Sequence, residues 1–326
     1  VIGTHKYSTQ GGHVYDAFNV RTRMNVNMKF GHLLEPGSHE KEWRNLCALE
    51  KFRHDPQNES IADSLVKEVV YDVICSKLYQ GIVFTHTAVN LERLLAISKV
   101  EGSGKLPMDF ATRVFIQMLE GCAFLNRTLE SIHGLIEPSS IDFCNHSVVP
   151  SPEGGRLPAT PRIVLTDLFN VQKFGFRDKD MTAYSMNYKS PEAAMGLKLA
   201  KASDVWACGC VLYEMIFGHS LFDASTHLEL LNTIEKAIGP IPQKMLRSHL
   251  DFYGQGNIRC VRSSPSRGTN HFLPPSMYIH SQTRFKPEER GTSRLLRKAL
   301  QLDTFSRPEP ASMLMMTEDE RMRAKR

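Results

Sequence analysis

The sequence predicts an α+β fold of two lobes, a small antiparallel β-rich lobe with one main helix over about 1–88 and a larger, mostly helical lobe over 89–326. Three observations carry this expectation. Strand-like runs broken by one helical segment fill the first hundred positions, and long helical apolar periods take over from Phe110. A chain of 326 residues is also long enough for a full core, and more than one compact unit. Strands followed by helices, rather than strict alternation, make the α+β pattern.

Val14–Phe18 and Asn25–Phe30 flank Arg21-Thr22-Arg23 and read as a hairpin. Glu40–Arg53 carries Trp43, Leu46, Cys47, Leu49 and Phe52 close to helical spacing. Two further strands are expected around Val69–Ile74 and Ile82–Thr85. In the second lobe, Val114, Met118, Leu119, Cys122, Phe124 and Leu125 give one long helix a broad apolar face. Ser203–Phe217 is apolar almost all round, which predicts a buried central helix. Leu228–Ile238 is amphipathic, and Gly239-Pro240-Ile241-Pro242 stops it. The stretch of about 245–291, rich in Gly, Ser, Arg and Pro, has no period and reads as an irregular insertion. Leu295–Leu302 is a short final helix with a tail beyond, where Met313–Met316 reads as helix core or partner contact.

Composition narrows the class. Hydrophobic residues at 41% and charged residues at 23% are those of an ordinary globular protein, and no apolar run approaches the ~20 residues of a membrane span. Val1–Gln10 is mixed and polar, unlike a signal peptide, and reads as a cut just before the first strand. The net charge of +5 is mild, and Lys and Arg are scattered apart from Arg259–Arg267 and Arg321–Arg326. Such runs read as solvated faces, which argues against a nucleic-acid partner. Seven cysteines without a repeating spacing argue for reduced thiols in an intracellular setting. Cys208 and Cys210 lie in the apolar helical stretch and read as core, not metal ligands.

Two segments carry a resemblance. Tyr184-Ser-Met-Asn-Tyr-Lys-Ser-Pro-Glu192 and Ser203-Asp-Val-Trp-Ala-Cys-Gly-Cys-Val-Leu-Tyr-Glu-Met215 resemble the end of a protein-kinase activation segment and the central helix after it. The match extends along nearly the whole chain. Val26-Asn-Met-Lys29 falls where VAIK belongs, His133-Gly-Leu-Ile-Glu-Pro-Ser-Ser-Ile-Asp142 where HRDLKPxNIL belongs, and Leu165-Thr-Asp-Leu-Phe169 where the DFG segment belongs. Gly218–Phe222 and Ile234–Pro242 narrow it to the CMGC group, nearest the LAMMER-type kinases, with the name motif eroded to Leu231-Asn-Thr-Ile-Glu-Lys236. The resemblance implies that Asp204 tethers the catalytic loop and that Glu192 pairs with Arg307 in the lower lobe. It also places His133, Leu168 and Leu49 on the apolar stack that joins the lobes.

Phosphoryl transfer requires a positioned nucleotide, held magnesium and an acceptor for the substrate hydroxyl proton. By this resemblance Leu135 stands at the proton acceptor, and an aliphatic side chain has no lone pair. Gly134 replaces the neighbouring Arg, Glu137 reverses the charge of the loop Lys, and Ser140 replaces the second magnesium ligand. Asp167 survives as a possible magnesium ligand and Lys29 as the strand Lys, but the Lys partner falls on Asn45, with Glu42 one turn away. In the glycine lid, which precedes Val14, only Gly12 remains; Tyr7 and Thr9 stand at the other glycine positions. The adenine slot would meet Asn27 as its roof and Asp142 as its floor. Burying such groups unpaired costs on the order of 1–3 kcal/mol each, so ATP and magnesium are expected to bind weakly or not at all.

The expectation is a pseudokinase acting as a protein-interaction, scaffold or regulatory module. Its partners would be other proteins, such as an active kinase or kinase substrates. Lys29 and Asp167 read first as inherited positions whose polar groups satisfy local backbone. Two rivals stay open. One is a divergent active serine/threonine kinase using Asp167, Lys29 and a displaced carboxylate such as Glu137 or Asp142. The other is a nucleotide sensor that binds ATP without transfer.

Overall fold

The computed structural model describes residues 1–9, 12–30, 44–45, 47–48, 72–75, 80–85, 87, 89–144, 157, 161–175, 185–253 and 290–324. Five strands form the sheet of the first lobe: β1 (Ile2–Thr9), β2 (Gly12–Asn19), β3 (Met24–Phe30), β4 (Asp72–Cys75) and β5 (Gln80–Thr85), in the antiparallel order β1-β2-β3-β5-β4. The expected hairpin is β2–β3. Its turn closes because the Asn19 side-chain oxygen accepts from the backbone N–H groups of Arg21 at 3.0 Å and Thr22 at 3.2 Å.

Register decides which side chains look into the space between the lobes. Val14 pairs with Lys29, Asp16 with Asn27 and Lys29 with Ile82, so these residues share one face. On it Tyr7, Val14, Ile82 and Phe84 pack into a buried cluster. His5, Tyr15 and Phe30 make edge-to-face contacts on the opposite face. Between His5 and Tyr7 the register slips: two steps along β1, from the Tyr15 pair to the Val14 pair, match one step along β2. Such a bulge breaks the alternation, so the consecutive side chains of Lys6 and Tyr7 both reach the cleft.

The second lobe begins at β6 (Val89–Asn90) and α1 (Leu91–Glu101), which Asn90 caps by accepting from Arg93 N at 2.9 Å. Then come α2 (Met108–Thr128), β7 (Ser131–Ile132), β8 (Ile141–Phe143), β9 (Ile163–Leu165) and β10 (Gln172–Lys173). Helices α3 (Pro191–Ala194), α4 (Lys201–Phe217), α5 (His227–Ala237), α6 (Gln243–Tyr253), α7 (Arg290–Ala299) and α8 (Pro310–Ala324) complete the lobe. The sequence-predicted central helix is α4, buried along nearly its whole length, with Trp206 stacked on Phe222 at 5.7 Å. Gly218 ends it at φ 79, and a Cβ there would come within 2.4 Å of the Ser103 carbonyl oxygen.

The structure departs from the sequence reading in three places. Residues 243–253, assigned largely to the irregular insertion, are helix α6, entered directly after Pro242, with Met245 buried. The rest of the insertion, 254–289, lies outside the described residues, as do Glu42, Leu49, residues 69–71 and most of the segment expected to form the first-lobe helix. The tail is a second terminal helix, α8, whose Met313 is buried and whose Met315 is exposed. Helix α1 was not expected, because Leu91, Leu94 and Leu95 supply too short a period to separate from the strand before it. No helix among the described residues is long and apolar enough to cross a membrane.

The expected pair between Glu192 and Arg307 is present and buried. Arg307 donates Nη1 to Glu192 Oε1 at 2.7 Å and Nη2 to Oε2 at 3.1 Å, and Ser203 Oγ donates to Oε1 at 2.8 Å. The remaining guanidinium hydrogens go to the carbonyls of Gln301, Leu302 and Ala202. Burial would raise the Glu192 carboxyl, but the Arg307 charge and these hydrogen bonds hold it below its ordinary value. Removing one partner leaves the other charge buried alone. Arg307→Ala is expected to cost about 3–5 kcal/mol in urea unfolding, and a loss under 1 kcal/mol would show that water replaces the pair.

Candidate active site

The loop after β7 is held from below by Asp204, near the start of α4. Its Oδ2 accepts from His133 N at 2.8 Å and its Oδ1 from Gly134 N at 2.9 Å. Burial pushes this carboxyl up to about 6 despite the two backbone hydrogen bonds. The His133 ring lies between Leu135 N, which donates to Nδ1 at 3.2 Å, and the Thr166 carbonyl, 2.9 Å from Nε2. These contacts fix the tautomer with the proton on Nε2. The loop therefore stands on its backbone amides and the His133 ring.

The side chains it displays are spent on the loop itself. Leu135 is buried at 4% exposure. Ser140 is fully buried, and its hydroxyl lies 2.8 Å from the Leu135 carbonyl, 2.9 Å from that of Glu137 and 3.2 Å from Glu137 N. Glu137 is buried and accepts from the Ser139 hydroxyl. Burial raises its carboxyl to about 7 against that hydrogen bond, and the charges of Asp167 and Glu92 push the same way as burial.

Across the cleft, Asp167 follows β9 in a left-handed conformation at φ 61, ψ 41, fully buried, and forms an ion pair with Lys29 of β3. The partner position expected at Asn45 carries an amide. Its Nδ2 donates to the Leu168 carbonyl at 2.7 Å, so Asn45 ties the helical segment to the backbone after Asp167. Leu168 and His133 are buried as the stack between lobes requires, and their expected companion Leu49 is outside the described residues. Gly12, with φ 139, opens β2, and Val14 lines the cleft face at 1% exposure.

At the cleft's other end Asn27 and Asp142 are both fully buried, as expected of roof and floor. They are not separate polar walls, however. Asn27 Nδ2 donates to Thr87 Oγ1 at 2.7 Å, and Thr87 Oγ1 donates to Asp142 Oδ2 at 2.8 Å. The Tyr7 hydroxyl donates to the same Asp142 oxygen. Lys6 Nζ donates to Asn27 Oδ1 at 3.2 Å and to the Thr87 carbonyl, and pairs with Asp16 at 3.0 Å. Burial raises the Asp142 carboxyl to about 6, with the Tyr7 and Thr87 hydrogen bonds opposing it. The sequence reading missed Lys6 and Thr87 altogether and counted Tyr7 only as a lost glycine. An aromatic residue on the cleft face two pairs before Gly12 was the available signal; the bulge that brings Lys6 beside it leaves none.

Residues 10–317 match the family described as Protein kinase domain. Serine/threonine-protein kinase AFC2 of Arabidopsis thaliana is 31% identical over 164 residues, 47% of this chain and 38% of that protein. A probable dual specificity protein kinase YAK1 homolog of Encephalitozoon cuniculi is 23% identical over 295 residues, 86% of this chain and 64% of that protein. The chain spans about a third of the length of the AFC kinases it matches. The crystal structure of a kinase domain superposes with a TM-score of 0.73 at 18% identity, over 96% of this chain and 93% of that one.

The buried carboxyls make stability depend on pH. Asp142 and Asp204 at about 6 and Glu137 at about 7 bind protons more tightly in the folded than in the unfolded chain. Such groups stabilise the fold at low pH, and the contribution is lost as pH rises through their folded values. The melting temperature is expected to be several degrees higher at pH ~5.5 than at pH ~8, and Asp142→Asn should flatten part of that slope. A melting temperature that climbs over the same interval would mean these carboxyls are ionised without penalty.

Proposed function

We propose that this chain, which belongs to the protein kinase domain family and is of CMGC type, is a pseudokinase that acts through protein–protein interaction rather than phosphoryl transfer. One observation carries the reading. At the position where transfer requires a carboxylate to accept the substrate proton stands Leu135, aliphatic, 4% exposed and framed by the loop's own hydrogen bonds.

The surroundings support it. Magnesium needs free oxygen donors, but Asp167 is ion-paired with Lys29 and the Ser140 hydroxyl is engaged by the backbone of its own loop. A purine base needs an apolar slot, and here a hydrogen-bonded chain runs from Asn27 through Thr87 to Asp142. The residues present do not fit Mg-ATP, so cofactor binding is read as weak or absent. Partners are then other proteins, such as an active kinase or its substrates, docking on the second lobe.

Glu137 favours a second reading, a divergent active kinase, because its carboxyl at about 7 suits a proton acceptor. Against this, it is 5% exposed and held by Ser139. Transfer of labelled phosphate from ATP to a peptide library decides between the two. The pseudokinase reading expects counts indistinguishable from those of Asp167→Ala; transfer lost in that variant would sink it, and loss in Glu137→Gln as well would establish the rival. Thermal unfolding with millimolar Mg-ATP is expected to show no shift, whereas ligand at a hundredfold excess over Kd would add about 2.7 kcal/mol and raise the melting temperature by a few degrees.

A further inference from the structure

We propose that Lys6, Tyr7, Asn27, Thr87 and Asp142 form a latch that stands in the place of a nucleotide base and holds the two lobes closed without any ligand. The latch rests on the reading of the cleft as non-catalytic and adds to it a conformational consequence.

The five residues come from every part that must move if the cleft opens. Lys6 and Tyr7 lie on β1 and Asn27 on β3, all in the first lobe; Thr87 lies on the link between lobes; Asp142 lies on β8 of the second. The Tyr7 hydroxyl spans the cleft to Asp142 directly, and Asn27 spans it through Thr87. The Lys6 ammonium closes the third side by reaching both the Asn27 oxygen and the Thr87 carbonyl. From the second lobe Arg93 of α1 donates Nη1 to the Lys6 carbonyl at 2.8 Å, so β1 is gripped by backbone as well as by side chain.

Burial makes these contacts act together. Asn27 and Asp142 are fully buried and Thr87 is 1% exposed, so separating the lobes would strip several polar groups of partners at once before water reached them. The opposite end of the cleft is tied independently, by Lys29 to Asp167 and by Asn45 to the Leu168 carbonyl. A two-lobed domain hinges because its cleft is empty until substrate bridges it. Here the chain's own side chains supply the bridge, with Lys6 and Tyr7 delivered by the bulge in β1.

Amide hydrogen exchange on the whole chain, read by mass spectrometry, tests this. In the wild-type protein, protection of β1, β8 and residues 85–90 is expected to be unchanged by millimolar ATP. The double variant Tyr7→Phe, Thr87→Val is expected to exchange about tenfold faster in those segments while α2 and α4 keep wild-type protection. Equal exchange in variant and wild type would overturn the latch, and so would protection that rises on adding ATP to the wild type. Should the double variant also lose protection in α2 and α4, Lys6→Met is read in its place by the same two criteria. Exchange reports lobe closure and the peptide assay reports chemistry, so the latch and the pseudokinase reading fail separately.

Discussion

The carboxylate of Asp204 holds two backbone N–H groups, those of His133 and Gly134, and the arrangement of the cleft follows from that grip. With those amides fixed, the His133 ring reaches the Thr166 carbonyl, which sets the strand end that delivers Asp167. None of these contacts involves the side chains of Leu135, Glu137 or Ser140. Gly134 fits the same constraint: its φ is 73, and a Cβ there would lie 2.8 Å from Asn170 Nδ2. The local backbone therefore favours glycine at this position, although Arg23 and Asp167 show that this chain also holds larger residues at similar φ. A loop held by its main chain keeps its shape while its chemistry changes, which is how Leu135, Glu137 and Ser140 can occupy an intact frame.

Charge in the cleft obeys a second constraint. Binding sites hold polar groups whose partners arrive with the ligand, and the desolvation of those groups is met by the ligand's own atoms. In this cleft the partners are already present. Lys29 answers Asp167, Ser139 answers Glu137, and Tyr7 and Thr87 answer one oxygen of Asp142. The other oxygen, Asp142 Oδ1, has no hydrogen-bond partner among the described residues. Burial, with the Asp167 charge pushing the same way, accounts for a carboxyl raised to about 6 where two donors alone would have lowered it. On the proposed reading, a nucleotide entering the slot would have to break these contacts and offer an adenine edge in exchange for an ammonium, a phenol and a hydroxyl.

Much of this was legible in the sequence, for reasons that differ by residue. The β2–β3 hairpin, α2 and α4 declare themselves because their apolar periods are long and their ends carry turn or stop signals. Glu192 and Arg307 could be paired across 115 positions only because each sits in a recognisable motif. Asn27 and Asp142 could likewise be expected near one another in the cleft, but not their partners. Periodicity assigns Lys6 and Tyr7 to opposite faces of β1, and a bulge with no sequence signature puts them on one. Thr87 carries no motif and matters only for where the link passes. Helix α8 was legible only at Met313–Met316, read as helix core or partner contact; its full extent was not, because its charged residues and its methionines, Met313 buried and Met315 exposed, do not segregate into a clear stripe.

Closure without a ligand bears on what such a domain can do. Two lobes free to hinge present many relative orientations, and a partner touching both pays to select one. Lobes fastened by Tyr7–Asp142 at one end of the cleft and Lys29–Asp167 at the other have met that cost within the fold. A surface that spans both lobes is then, on the proposed reading, preorganised and indifferent to nucleotide concentration. On the proposed reading, losing the proton acceptor and fastening the cleft are two sides of one change. Once Leu135 removes the use for a nucleotide, nothing selects for an open slot, and side chains that fill and brace it gain in stability what they forfeit in catalysis.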